Sequence, residues 1–223
     1  EESLPKLWGY SCFETRDALW RVVQMFRDLG CESIYLMGHD WGAAAAILYA
    51  QAYPESITKL ILEDIGQLRL SEIGIRTALV IICYQGFLAF VFMLSRIFPR
   101  ADWWFPKAFN LYPWDSRFFS PIDSRIDGLG QREITADKCH PYFQSLTAMQ
   151  AAKDLTVNAY TNPHLPIMFV YGKRKHIFFH GDSFLNLLQR TPGCRVASYD
   201  TGHWIHEQDT ALLAKDVQRF LGS

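Results

Sequence analysis

The pentapeptide Gly38-His39-Asp40-Trp41-Gly42 constrains this chain more than any other stretch. Ahead of it lies Ser33-Ile34-Tyr35-Leu36-Met37, a short apolar run of strand length. Behind it, from Ala43 to Tyr53, come strong helix formers stopped by Pro54. A strand that becomes a helix within one residue needs a strained backbone at the turn. It also needs small neighbours, so that the helix can sit close to the strand. Glycines two before and two after Asp40 are expected to supply that room. The Asp40 side chain should then stand clear of the sheet, beside a helix N-terminus with its unpaired N–H groups. A plainer reading makes Asp40 only the cap of a glycine-bounded turn; the full pentapeptide and its flanks favour the raised side chain.

A sharp strand–turn–helix of this kind is the elbow that presents a nucleophile when its central residue is serine. Aspartate changes the chemistry. A serine alkoxide attacks carbonyl carbon, whereas a carboxylate is suited to displacing a leaving group from sp3 carbon. The product is an alkyl ester on the protein, which water then hydrolyses.

Composition sets the outer limits. The 223 residues can bury one sizeable core and an inserted subdomain. A hydrophobic fraction of 49% against 20% charged residues is that of a globular protein. The net charge of −1, with no basic tract, does not suggest a nucleic-acid partner. Five scattered cysteines without CxxC spacing (Cys12, Cys31, Cys83, Cys139 and Cys194) fit reduced thiols better than disulfides or a zinc site. No signal peptide opens the sequence, and a cytoplasmic location is expected. From Thr77 to Ser95 no residue is charged, about the length of a marginal membrane span. Tyr84, Gln85 and Gly86 at its middle favour a helix covering a cavity, with membrane-surface contact left open.

Taken in order, residues 1–14 read as an irregular entry. Glu14 to Leu29 has helical periodicity and ends at Gly30. After the elbow, Ile57 to Leu62 reads as a second buried strand, followed by Glu63-Asp64-Ile65-Gly66. From about Ser71 to Pro163 the strand signal disappears. Aromatics crowd this block (Phe87, Phe90, Phe92, Trp103, Trp104, Phe105, Trp114, Phe118 and Phe119), and prolines break it into pieces. It reads as a helical cap inserted into an α/β core. Strands return at Pro166–Gly172 and Arg195–Tyr199, with a helix near Asp182–Gln189 between them. Asp200-Thr201-Gly202-His203-Trp204 and an amphipathic helix complete the chain. The expected organisation is core over 1–70, cap over 71–163 and core again over 164–223.

These features together resemble the α/β-hydrolases that use an aspartate nucleophile: the epoxide hydrolases and the haloalkane and haloacetate dehalogenases. The resemblance implies a parallel-sheet hydrolase fold with an inserted helical cap, and no metal or organic cofactor. It implies Asp40 as nucleophile and His203, on the loop after the last strand, as the base that activates water. The orienting acid is less direct. Many epoxide hydrolases place it just after the strand that follows the cap. Here that region is Tyr171-Gly172-Lys173-Arg174-Lys175-His176, without a carboxylate, and a cationic run could not stabilise an imidazolium. Asp64, at the end of the strand after the elbow helix, matches the other placement, that of several dehalogenases. Glu63 is its understudy and Asp182 a remote third choice. Strand alternation should send Glu63 and Asp64 to opposite sides.

The leaving group separates the subclasses. Trp41 resembles a halide donor of the dehalogenases, but epoxide hydrolases carry it too. Tyr84 and Tyr142 resemble the two cap tyrosines that donate hydroxyls to an epoxide oxygen. The pair points to epoxide opening on an apolar small-molecule substrate, with haloalkane or haloacetate dehalogenation as the alternative. One departure stands out. The family begins with about four further strands and a His-Gly-x-Pro loop that contributes to the oxyanion hole, and residues 1–30 have room for one helix. The expectation is a hydrolase fold incomplete at its N-terminal side. It is either a piece of a longer chain or a truncated relative, weakly active or serving only to bind. Loss of one such donor costs about 100- to 1,000-fold in rate, leaving the Trp41 N–H as a remaining donor. The oligomeric state is not legible.

Overall fold

The computed structural model describes residues 7–98, 136–147, 165–175 and 177–222. The chain enters through helix α1 (Cys12–Asp28), strand β1 (Tyr35–His39), helix α2 (Trp41–Ala52) and strand β2 (Lys59–Glu63). Helices α3 (Ile75–Ile97) and α4 (His140–Thr147) follow, then strand β3 (Ile167–Gly172), helix α5 (Asp182–Arg190) and strand β4 (Arg195–Tyr199). A short helix α6 (Ile205–Gln208) and the C-terminal α7 (Thr210–Leu221) end it. The four strands are parallel and lie in sequence order, β1-β2-β3-β4.

Strand alternation builds two cores from one sheet. Leu60 and Leu62 of β2 and Ile167 and Phe169 of β3 face α2 and α5, where Ala43, Ala46, Ile47, Phe184 and Leu188 are buried. Ile61, Met168 and Val170 face the other way, onto Ile205, Leu213 and Phe220. The result is a sheet sandwiched between helices. From Ala43 to Ala50 every residue of α2 is buried, and its alanines let it lie close against β1 and β2. On the opposite face Lys59 is buried, and its ammonium donates to the carbonyl oxygens of Phe220 (2.7 Å) and Leu221 (3.2 Å), closing the C-terminus of α7.

Several boundaries moved for local reasons. The first helix begins at Cys12, because Ser11 and Glu14 form a reciprocal capping box; Glu14 N–H donates to Ser11 Oγ (3.2 Å) and Ser11 N–H to Glu14 Oε2 (3.0 Å). The second strand runs from Lys59 to Glu63 rather than Ile57 to Leu62, since pairing begins where Lys59 meets Tyr35. Ahead of it, Thr58 N–H closes onto the Ile34 carbonyl at 2.7 Å. On its other side β1 pairs with no described strand, and Tyr35 and Met37 are each 45% exposed there.

Of the expected cap, α3 and α4 are described and are helical. They pack through Leu88, Val91, Phe92 and Cys139, flanked by Tyr84, Tyr142 and Phe143. Its opposite stripe, Ile75, Leu79, Ile82, Phe90 and Ile97, is exposed, and α3 is long and apolar enough to cross a membrane by length and composition. Trp103, Trp104, Phe105, Trp114, Phe118 and Phe119 lie outside the described residues.

At the elbow Asp40 has φ +52°, a left-handed value that costs a non-glycine residue about 1–3 kcal/mol. The two glycines beside it are not equivalent. A Cβ on Gly38 would meet the Gly42 carbonyl oxygen at 2.5 Å, whereas one on Gly42 would meet nothing within 4 Å. Only the first glycine is needed for close approach. Gly38→Ala is therefore expected to lower stability by about 1–3 kcal/mol, and Gly42→Ala to stay within about 0.5 kcal/mol of the parent. Urea unfolding midpoints of the two variants check this.

Candidate active site

Three segments far apart in sequence meet at the C-terminal ends of the parallel strands. The turn from β1 into α2 raises Asp40. The end of β2 supplies Asp64, also in a left-handed conformation (φ +71°) and completely buried. The loop after β4 brings His203. Its Nδ1–H donates to Asp64 Oδ2, and its Nε2 lies 3.4 Å from Asp40 Oδ2. The sequence-derived trio of Asp40, His203 and Asp64 is thus one constellation, with the imidazole between the two carboxylates. Asp182 is exposed at the start of α5 and has no part in it.

Glu63 and Asp64 diverge, as strand alternation requires, and each meets a different histidine. Glu63 is buried, and its Oε1 accepts from His206 Nδ1–H (2.8 Å) and from the His206 backbone N–H (3.0 Å). His39 Nε2–H donates to the His203 carbonyl (3.1 Å), and the two rings lie 4.5 Å apart. His39, Glu63 and His206 bring three metal-ligand-type atoms within 4.8 Å of one another. Their hydrogen bonds run to the His203 carbonyl and between Glu63 and His206, so the group braces the His203 loop. Nothing local in sequence marks His39 or His206 as a brace; the i, i+3 spacing of His203 and His206 was the available signal.

The cationic run after β3 is not uniform. Lys173 and Arg174 are exposed, and the Arg174 guanidinium reaches the Asp200 carbonyl. Lys175 turns inward instead. Its side chain is 3% exposed, and its Nζ lies 2.5 Å from Asp64 Oδ1. Gly172 N–H donates to the same oxygen at 3.3 Å. The run holds no acid, as expected, yet it contributes a cation to the acid's far side. Burial of Asp64 demands a counter-charge, and sequence spacing does not reveal that Lys175 supplies it.

Two tyrosines also come within reach of the Asp40 charge. Tyr84 from α3 and Tyr142 from α4 share a hydroxyl–hydroxyl hydrogen bond of 2.7 Å. The Trp41 ring stands edge-on to Tyr142, with centroids 5.3 Å apart. Burial pushes both phenols well above the ordinary tyrosine range, and the charge of Asp40 pushes them the same way. Both hydroxyls consequently keep their protons at neutral pH. All six sequence-derived residues (Asp40, Trp41, Asp64, Tyr84, Tyr142 and His203) are gathered in this region.

The imidazole responds to both carboxylates. Burial alone would lower the pKa of His203, but hydrogen bonds to Asp40 and Asp64 and their charges raise it to about 9. For Asp64, burial works to raise the pKa; the His203 hydrogen bond and the Lys175 charge outweigh it, and the net direction is down. A raised histidine pKa stabilises the fold fully below the unfolded value near 6.5, and that contribution is lost as pH rises through about 9. At 1.36 kcal/mol per unit it amounts to about 3 kcal/mol. Urea unfolding from pH 6.5 to 10 should show that decline in the parent chain, and a much flatter one in His203→Gln.

Comparison with known proteins agrees with this architecture. A family model described as the alpha/beta hydrolase fold matches residues 5–113. No curated protein matches the chain in sequence. Among solved structures, epoxide hydrolase A from Mycobacterium thermoresistibile is 14% identical with a TM-score of 0.63, over 99% of this chain and 78% of its own. A thermophilic esterase from Thermogutta terrifontis is 13% identical with a TM-score of 0.62, over 99% and 74%. A monoacylglycerol lipase from Paleococcus ferrophilus is 15% identical with a TM-score of 0.53, over 96% and 76%. With four parallel strands between helices and catalytic-type side chains at their C-terminal ends, the chain has the α/β-hydrolase fold.

Proposed function

We propose that the chain is a hydrolase working through an alkyl ester on Asp40, and that its reaction is the opening of an epoxide to a diol. The fold is shared by esterases and a lipase as well as an epoxide hydrolase, so it does not choose among them. The residue at the elbow does, because a carboxylate displaces at sp3 carbon. One observation carries the reading: Asp40 is next to a buried His–Asp pair and near enough to two protonated tyrosine hydroxyls for its charge to act on both.

In the first step an Asp40 carboxylate oxygen attacks an epoxide carbon. The carbon–oxygen bond breaks, its electron pair goes to the epoxide oxygen, and Tyr84 and Tyr142 donate hydrogen bonds and a proton to it. In the second, His203 Nε2 takes a proton from water as the water oxygen attacks the ester carbonyl. The tetrahedral intermediate collapses, the diol alkoxide leaves and takes up a proton, and the carboxylate is regenerated. The Trp41 N–H, at the first turn of α2, is a donor to the oxyanion.

Charge makes the two steps sequential. The Asp40 carboxylate holds His203 protonated in the free protein. Once Asp40 is a neutral ester, that support disappears, and only Asp64 continues to favour the imidazolium. The imidazolium then releases its proton, which through solvent restores the tyrosine hydroxyl spent in the first step. The neutral imidazole is a base when a base is required, and the proton it takes from water goes on to the departing alkoxide. Helices α3 and α4 belong to the proposed cap, and the packing of Phe92 with Phe143 beside the tyrosines suits an apolar substrate.

His203→Gln leaves Asp40 able to attack but removes the base. Incubation with an aryl or alkyl epoxide should therefore add the substrate's mass to the Asp40 peptide, read by mass spectrometry. An unmodified peptide after challenge with epoxide and with haloalkane would leave a binding protein in place of an enzyme. Replacing both Tyr84 and Tyr142 by Phe should lower kcat/KM for epoxides by about 100-fold or more. Bromide release from a bromoalkane that survives the double replacement would move the assignment to a dehalogenase.

A further inference from the structure

Lys175 is a buried charged side chain beside the site that the mechanism above leaves unused. Its ammonium is buried 2.5 Å from Asp64 Oδ1, while the other oxygen of the same carboxylate accepts from His203. The rings of Phe178 and Phe179 lie 5.4 and 5.9 Å from Nζ, so the ammonium is enclosed by aromatic faces and one carboxylate. Backbone bonds fix the turn that carries it. Lys173 N–H donates to the Tyr199 carbonyl and Arg174 N–H to the Thr201 carbonyl, both at 2.9 Å. The turn bearing Lys175 and the loop bearing His203 are therefore held together. On the other flank, Gly66 N–H donates to the Phe179 carbonyl at 3.0 Å and ties the same turn to the segment after Asp64.

We propose that Lys175 is a positioning residue for the His203 base, which rests on the reading of His203 given above. It holds Asp64 Oδ1 so that Oδ2 faces the imidazole, and it offsets the carboxylate charge so that His203 can release its proton.

The balance of charge gives the reason. Once Asp40 is esterified, Asp64 still favours the imidazolium, which has no free nitrogen lone pair to take a proton from water in the second step. A cation on the far side of Asp64 reduces that pull without weakening the hydrogen bond that orients the ring. Together with the His203 hydrogen bond, the same cation keeps a fully buried Asp64 ionised, which burial by itself opposes. The groups facing His203 among the described residues are Asp40, Asp64 and His39, with Glu63 and His206 behind His39. Those around Lys175 are Asp64, the more distant Asp40, and His180. His180 is buried and held down to about 4, first by burial and then by the Lys175 charge, so it stays neutral and adds nothing to the balance at working pH.

The test reads His203 directly and needs no substrate. Protein labelled with 13C and 15N at histidine is titrated by NMR, the His203 resonance being identified by its loss in His203→Gln. Lys175→Met should raise the His203 midpoint by about one pH unit or more, since a charge in this range moves a neighbour by about 1–3 units. Lys175→Arg, which keeps the charge, should leave it close to the parent. An unchanged midpoint in a folded Lys175→Met chain overturns the proposal, whatever the ester-trapping experiment finds. Should Lys175→Met fail to fold, adding Asp64→Asn removes both buried charges and is expected to restore folding. A double variant that still fails to fold overturns the proposal as well, because Lys175 would then be needed for something other than its partner's charge.

Discussion

A carboxylate with no exposure to water is the constraint around which this molecule is arranged. An ionised group in that position is tolerated only with a compensating charge and a full set of hydrogen bonds. Asp64 obtains these from three directions: His203 on one oxygen, and Lys175 and the Gly172 N–H on the other. Lys175 and Gly172 come from the exit of β3 and His203 from the loop after β4. Satisfying one buried charge therefore draws the ends of β2, β3 and β4 into register. The site lies at the C-terminal edge of the sheet because parallel strands deliver all their exits to that edge.

The backbone accepts unfavourable conformations to meet this demand. Asp40 and Asp64 are the only non-glycine residues with positive φ among those described, and both belong to the same constellation. Strain concentrated in this way persists only when surrounding packing over-determines it. The α2 helix, buried along eight consecutive residues, fixes the turn at Asp40. At Asp64 the restraint is hydrogen bonding: its N–H donates to the Val170 carbonyl at 2.8 Å, and Ile65 forms a bridge with Phe179. Close approach also matters at Gly172, where a Cβ would collide with the Gly202 carbonyl one residue before His203. A side chain there would push the base loop off the sheet.

Around this centre lies a second layer that keeps the imidazole in place without touching its reactive face. His39 holds the His203 carbonyl from β1, and the Glu63–His206 pair anchors the start of α6. Neighbouring carboxylates on one strand thus serve two histidines three residues apart on one loop. Asp64 orients and Glu63 braces. The division follows from strand alternation carried to its last residue, and then broken by the left-handed turn at Asp64.

What the sequence determined by itself was local and periodic. The Gly38–Gly42 elbow, the alanine-rich helix behind it, the limits of β4, and the assignment of Asp64 over Glu63 were all legible. The first three rest on short-range geometry, one sharp turn and two alternating faces; the choice of Asp64 came through the resemblance, with strand alternation saying only that it and Glu63 diverge. The pairing of Tyr84 with Tyr142 was legible only as order along the chain, through resemblance; their 2.7 Å contact is set by the packing of α3 on α4. Gly42, which looked as necessary as Gly38, proved to have open space beside it. In sequence Lys175 is only the third cation of a short run, with nothing to set it apart from Lys173 and Arg174. Whether a lysine faces water or a buried carboxylate 111 residues away depends on how two loops dock, and no local pattern encodes that. Tertiary structure alone decided the electrostatics of this site, because burial and long-range pairing set the charge balance and neither is a property of neighbouring residues.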